Sequence, residues 1–437
     1  MHDSTRPLSG RFLYAALLPA LLGGAALNAQ SSTPSADDDL AARVAALEAR
    51  LDAQTVTTLG PKGLEVSTAD ARYSIRLRPR AQIDAHWFPD EEDGDDEVLL
   101  RRIRPVLEGE GPGFSWRLMP ELANDVHLVD AWIDLQPWDA GLLRLGKFKG
   151  VLGLERRQGF TDTLFIERGL PSVLTPVREL GAAWQQSLLH GQVSYALGCY
   201  NGAMDDAESS GNLSNGDFDL GARVAWTPSE SSPLHGLELG FAASWGAEDA
   251  AIDNGDSEQR IRYRTSGRNT FFSYRDGVAL DGDRYRLNPQ LAYYRGPLGL
   301  LAEYVRSSVE LQDATHRDTV AADAWTLQAG WVLTGENASF RGVQPRHGLA
   351  DGGWGALEVA VRYHALQVDD AAFVTASGST FASASAVQEA SSMGLGLNWY
   401  LSANLRCSLN YEVTDFSGLG AARATEQAVL SRLQLNF

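Results

Sequence analysis

From Tyr73 to Phe88 the chain alternates in character for sixteen residues, longer than a strand of a soluble sheet ordinarily runs. Tyr73, Ile75, Leu77, Pro79, Ala81, Ile83, Ala85 and Trp87 are apolar, whereas Ser74, Arg76, Arg78, Arg80, Gln82, Asp84 and His86 between them are polar. A period of two sends alternate side chains to opposite faces of an extended strand. The same dyad recurs over 217–226 and 237–245, in Leu357, Val359, Val361 and Tyr363, and in Met393, Leu395, Leu397 and Trp399. A sheet with one apolar face, one polar face and aromatic residues near its strand ends suits a closed barrel in a lipid bilayer, where closure is what pairs every backbone group. The expected fold is therefore all-β, a transmembrane antiparallel β-barrel, with a soluble barrel or sandwich as the alternative.

From residue 72 onward the pattern supports about sixteen strands, an even count of the kind such barrels use. Short connections (GEGPG, PWDAG, HG) alternate with long ones at 150–178, 201–216 and 247–283. Short turns on one side, long loops on the other and both termini at the short-turn side follow the outer-membrane arrangement. GENASFRGVQPRHGLADGG, at 335–353, falls on the short-turn side despite its length, so it is either an insertion or a slip in the strand count. A barrel of this size leaves an aqueous lumen, which shifts the functional question from catalysis to permeation.

The N-terminus has a different character. Arg6 and Arg11 precede FLYAALLPALLGGAAL and then LNAQ, the order of a secretory signal, expected over 1–29 with cleavage after Ala29. A membrane anchor is the alternative, but the apolar run falls short of the roughly 20 residues a helical span needs. No Cys lies near the cleavage point to take a lipid. After the linker SSTPSADDD, Leu40, Val44, Leu47 and Leu51 have coiled-coil spacing, too short a pattern to be stable without partner copies. Residues 30–59 are thus expected to form a periplasmic linker and a short coiled-coil helix, and residues 60–437 the barrel.

Net charge is −19 over 437 residues, and loss of the signal with Asp3, Arg6 and Arg11 leaves −20, which disfavours nucleic acid as a partner. Cys199 and Cys407 sit far apart among alternating apolar residues and read as buried or lipid-facing. An exported chain with so few cysteines fits a Gram-negative envelope. FPDEEDGDDEV at 88–98 lacks the ordered spacing of a calcium loop and reads as a solvated acidic loop. No HExxH motif, P-loop or recognisable Ser-His-Asp set is present, so no enzyme, metal or cofactor is expected.

Against this acidic background, SEQRIRYRTSGRNTFF (257–272) collects Arg260, Arg262, Arg264 and Arg268. If the segment is extended, the first three leave on one side roughly 6.6 Å apart and form a row of permanent cations suited to a passing anion. A solvated loop and a basic helix face remain open. Arg76, Arg78 and Arg80 share the polar face of the first strand and point either to a cationic lumen or to a girdle on lipid head groups. Arg101 and Arg102 are neighbours, so both can face inward only if the strand carries a bulge.

GLEVSTAD (63–70), LLRRIRPVLEG (99–109), LGKFKGVLGLE (145–155), IERGLPS (166–172), LQAGWVLTGE (327–336), LNWYLSANLRCSLNY (397–411) and the terminal RLQLNF follow one another in an order that carries a likeness. The chain resembles the phosphate- and polyphosphate-selective porin family of the Gram-negative outer membrane. That resemblance implies a homotrimer of sixteen-stranded barrels, seated among outer-membrane lipids and narrowed by two inward-folded loops, through which inorganic anions such as phosphate or polyphosphate diffuse. It further implies an arginine ladder at Arg260, Arg262, Arg264 and Arg268, and a constriction containing Arg101, Arg102, the acidic Asp130, and Arg156 where phosphate-specific members have a lysine. A coiled-coil extension also occurs in relatives and fits a periplasmic stalk. The chain departs from the pattern at Gly159 and Phe160, where phosphate-specific members carry small hydroxyl residues. A less selective anion or small-solute porin is therefore the second expectation, with an outer-membrane enzyme barrel or a cell-wall tether through residues 36–54 more remote.

Overall fold

The computed structural model describes residues 40, 43–46, 55–90, 94–123, 125–136, 141–209, 218–252, 261–374 and 380–437. The expected signal segment and Arg260 lie outside the described residues. Of the expected N-terminal helix, residues 40 and 43–46 are described and are helical.

A first hairpin, β1 (Thr55–Gly60) and β2 (Gly63–Thr68), leads into β3 (Ser74–Trp87), β4 (Glu97–Gly111), β5 (Phe114–Glu121), β6 (His127–Leu135) and β7 (Leu142–Phe148). There follow β8 (Glu179–Leu188), β9 (Val193–Tyr200), β10 (Asp219–Trp226), β11 (Leu237–Ala251) and a separate inner hairpin, β12 (Arg262–Arg264) and β13 (Thr270–Ser273). The chain continues through β14 (Ala279–Arg295), β15 (Leu298–Gln312), β16 (Arg317–Val332), β17 (Ala356–Val368), β18 (Val387–Tyr400), β19 (Leu405–Gly420) and β20 (Glu426–Asn436). Apart from the two hairpins, the strands form a closed sixteen-stranded antiparallel barrel. Closure is made by β20 on β3, in register from Val429 opposite Trp87 to Asn436 opposite Arg80.

The alternation in β3 becomes an outer and an inner wall. Ile75 and Ile83 are 52% and 45% exposed, whereas Gln82 and Asp84 are fully buried. Apolar side chains face out and polar ones in, the reverse of a soluble core and the arrangement a lipid surround favours. Cys199 is also exposed, as a lipid-facing side chain would be.

Three segments fill much of the interior. Residues 149–178, between β7 and β8, turn inward and carry the short helix α1 (Leu154–Arg157). The β12–β13 hairpin lays Ile261, Tyr263, Phe271 and Phe272 against Val305, Val309 and Leu366 of the barrel wall, the largest apolar core among the described residues. The long connection on the short-turn side, 333–355, is a true insertion and not a slip of the strand count. It also folds inward, with Ala338 and Val343 packing on Val332, Ala356 and Tyr400. The two loops meet where Gln158 Nε2 donates to the Phe340 carbonyl at 3.0 Å.

Candidate functional site

The inner loop is aimed by its first turn. Gly153 adopts φ +74°, and a Cβ there would come within 2.6 Å of the Arg156 Cβ. The Leu154 and Glu155 amides then donate to the Glu303 carboxylate at 2.6 and 3.1 Å, anchoring α1 to β15. From this turn two consecutive arginines diverge. Arg156 is buried, donating to Asp206 at 3.0 Å, to Thr175 Oγ1 at 3.4 Å and to the Ser172 carbonyl. Arg157 is exposed toward an open cavity of about 1210 Å³ between the inner loop and the wall β3–β10.

That cavity is bordered by Arg78 and Arg80 from β3, Arg117 from β5, Arg144 from β7, Lys149 just beyond it, and Arg157. Arg178, Arg223 and Arg341 complete its cations, against the two carboxylates Asp130 and Asp162. Several of these cations are locally neutralised: Arg117 by Glu108 at 2.9 Å, Arg144 by Asp134 at 2.7 Å and Arg223 by Glu238 at 2.6 Å. For Arg80, Lys149, Arg157 and Arg341 no described carboxylate lies within ion-pair distance.

Phe160 closes one edge. Its ring is 4% exposed and packs on Val106, Met119 and Val129. Three guanidiniums face it, from Arg104 at 4.8 Å and from Arg80 and Arg102 at 5.6 Å each. A ring face attracts a cation through its quadrupole but supplies no hydrogen bond to an anion. Phe160 thus gathers positive charge without adding a donor.

The residues singled out in the sequence fall into distinct places. Arg101 is the extra residue of a β-bulge, since Gln82 pairs with Arg102 and Ile83 with Leu100. This is the bulge required for both arginines to turn inward: Arg101 donates to Glu167 at 3.2 Å and Arg102 to Gln82 at 2.7 Å. Burial pushes the Glu167 carboxyl up, but Arg101, Arg102, Arg432 and Arg268 more than offset it and hold it well below the usual carboxylate range. Arg262 and Arg264 are half-buried on one side of β12, with Ile261 and Tyr263 buried on the other, so this part of the row is extended. Arg264 donates to Asp206 at 2.5 Å, and Arg268, in a left-handed turn at φ +68°, lies 3.9 Å from Glu97. Of the expected ladder and constriction residues Asp130, which accepts from Arg178 at 2.7 Å, borders the cavity, as do Arg78 and Arg80 from the polar face of β3. Arg117, Arg144, Arg157 and Arg178 were not among the expected residues. The alternation in FSWRLMPE, not drawn on above, would have put Arg117 on a polar face, whereas nothing local distinguishes Arg157 from Arg156.

A family model described as phosphate-selective porin O and P matches residues 75–437. The chain belongs to that family. This porin is accordingly a channel of the Gram-negative outer membrane and not an enzyme. It is 25% identical over 418 residues to Porin O of Pseudomonas aeruginosa, covering 84% of this chain and 90% of that one. It is 26% identical over 410 residues to an uncharacterized protein of Caulobacter vibrioides, covering 88% and 78%. Among solved structures, the porin is similar in fold to the outer membrane channel DcaP of Acinetobacter baumannii (TM-score 0.55, 10% identity, 84% of this chain and 98% of that one). A trimer form of OmpT, an outer membrane protein of Vibrio cholerae, gives a TM-score of 0.53 at 9% identity, covering 84% and 99%.

Proposed function

We propose that this porin passes anions in preference to cations through a lumen lined by arginines, that inorganic phosphate or polyphosphate is its main cargo, and that it works as a homotrimer. The observation that carries the anion preference is the cavity wall, where Arg80, Lys149, Arg157 and Arg341 stand without a described carboxylate partner and Asp130 and Asp162 are the acids present. In a narrow, low-dielectric passage the local potential decides which ions enter, so a net charge of −19 for the whole chain does not prevent selection of anions. Phosphate is supported by the family description, and a trimer by the form in which the similar OmpT barrel is described. Arg262, Arg264 and Arg268 serve as the outer approach in this reading, with Arg101, Arg102, Arg156 and Asp130 at the constriction.

Phe160 favours a second reading, a less discriminating anion porin, because three guanidiniums gathered on a ring attract charge without hydroxyl donors to shape a phosphate site. Reversal potentials of the purified protein in an asymmetric KCl gradient test the first claim. An anion-favouring potential is expected, and a cation-favouring one overturns it. Added inorganic phosphate separates the readings: block at millimolar concentration supports phosphate as cargo, and unaffected chloride conductance supports the general porin.

A further inference from the structure

The connection between β9 and β10 carries acidic residues that are turned onto cations. Asp205 pairs with Arg286 at 2.7 Å, and Glu208 lies 3.3 Å from Lys147 and 3.7 Å from Arg178. Asp206, between them, holds two arginines at once. Its Oδ1 accepts from Arg156 at 3.0 Å and its Oδ2 from Arg264 at 2.5 Å. Those arginines come from different segments, the inner loop and the β12 hairpin, and the Asp206 side chain is 12% exposed between them. The backbone is shaped for this placement: Asp206 has φ +54°, a left-handed conformation that few residues other than Gly, Asn and Asp adopt readily, and its amide donates to the Thr175 carbonyl at 3.2 Å.

One oxygen for each of two converging guanidiniums is the arrangement a tetrahedral oxyanion would use at the same spot, because two oxygens on one centre match two forks. Resting on the anion-passing reading above, we propose that Asp206 is a tethered counter-ion that competes with the permeating oxyanion for Arg156 and Arg264, and so shortens that anion's stay. An anion arriving along Arg262 and Arg264 displaces the carboxylate to engage both arginines, and the returning carboxylate displaces the anion. A transport site must bind well enough to admit and weakly enough to release, and a built-in competitor supplies the second half. The carboxylate is charged at neutral pH: burial pushes it up, but Arg264 and Arg156 hold it below the usual range.

The test is Asp206→Asn, which keeps the shape and tolerates positive φ, read by titrating inorganic phosphate against chloride conductance in planar bilayers. The phosphate concentration for half-block is expected to fall about tenfold, with longer single-channel closures. Asp206→Gly, which accepts the same backbone without a side chain, should move in the same direction, and Asp206→Glu should stay near the parent. Unchanged or weaker phosphate block in folded Asp206→Asn overturns the proposal. So does failure of both neutral variants to fold, since the carboxylate would then be a structural tie. A parent protein that favours cations or ignores phosphate overturns the anion or phosphate reading beneath it, a result visible before any variant is made.

Discussion

Arg156 and Arg157 are adjacent in sequence yet serve opposite surroundings: one lies buried with a guanidinium nitrogen 3.0 Å from Asp206, and the other borders the open cavity. The functional difference between them follows from what each has for a partner. In this structure the charge of Arg156 is held by Asp206, whereas Arg157, with no described carboxylate within ion-pair distance, presents its charge to the cavity.

Arg157→Gln is therefore expected to lower the chloride-to-potassium permeability ratio about twofold while leaving heat stability unchanged, since an exposed charge away from other features contributes little to folding. Arg156→Gln should do the reverse in emphasis. It strands part of the buried Asp206 carboxylate and removes the tie to Ser172, at a cost of about 1–3 kcal/mol to docking of the inner loop. Reversal potentials and heat-modified electrophoretic mobility of both variants check the contrast, and equal effects would contradict it.

Lys149 should give the proposed anion preference a pH dependence. Burial pushes its ammonium well below the ordinary lysine value, and Arg168 and Arg178 push it further the same way. The charge is present below this lowered pKa and is lost as pH rises through it, short of the roughly 10.4 of a free lysine. Anion preference should then decline as pH is raised through that lowered pKa toward the free-lysine value. Over the same window the unfolded chain binds more protons than the folded one, so Lys149 favours the folded state increasingly as pH rises. Lys149→Arg, whose guanidinium stays charged, should flatten the selectivity profile. Permeability ratios measured across that pH range decide the matter.

At the seam of the barrel, Asp84 on β3 and Arg432 on β20 are directly opposed, paired through two bonds of 2.7 and 2.6 Å, and fully buried. Removing one member of such a pair leaves an uncompensated charge, typically about 3–5 kcal/mol. Asp84→Asn should accordingly shift denaturant unfolding of the detergent-solubilised barrel to lower concentration, and Asp84→Asn combined with Arg432→Met should recover part of the loss.

Much of this barrel is legible in the strand alternation, because lipid enforces a period of two from Ser74 to Trp87 just as it does from Val387 to Tyr400. The need for a bulge at Arg101 and Arg102 also follows from the pleat. What local sequence cannot convey is the aim of a four-residue turn whose amides are captured by Glu303, 149 residues from Leu154. With that turn undirected, Arg156 and Arg157 are interchangeable on paper. Long-range placement likewise hid Asp206: within 201–216 it is one acid of an irregular loop, and its two arginines lie 50 and 58 residues away.

The hydrogen bond from Gln158 to the Phe340 carbonyl joins a segment that enters from the long-loop end to one that enters from the short-turn end. The bore is consequently spanned by a strut whose two halves are rooted on opposite sides of the membrane. Its width is then a shared property. A sequence change among residues 333–355, remote from anything an incoming solute first meets, would be felt through this bond at the inner loop as a change in what can pass.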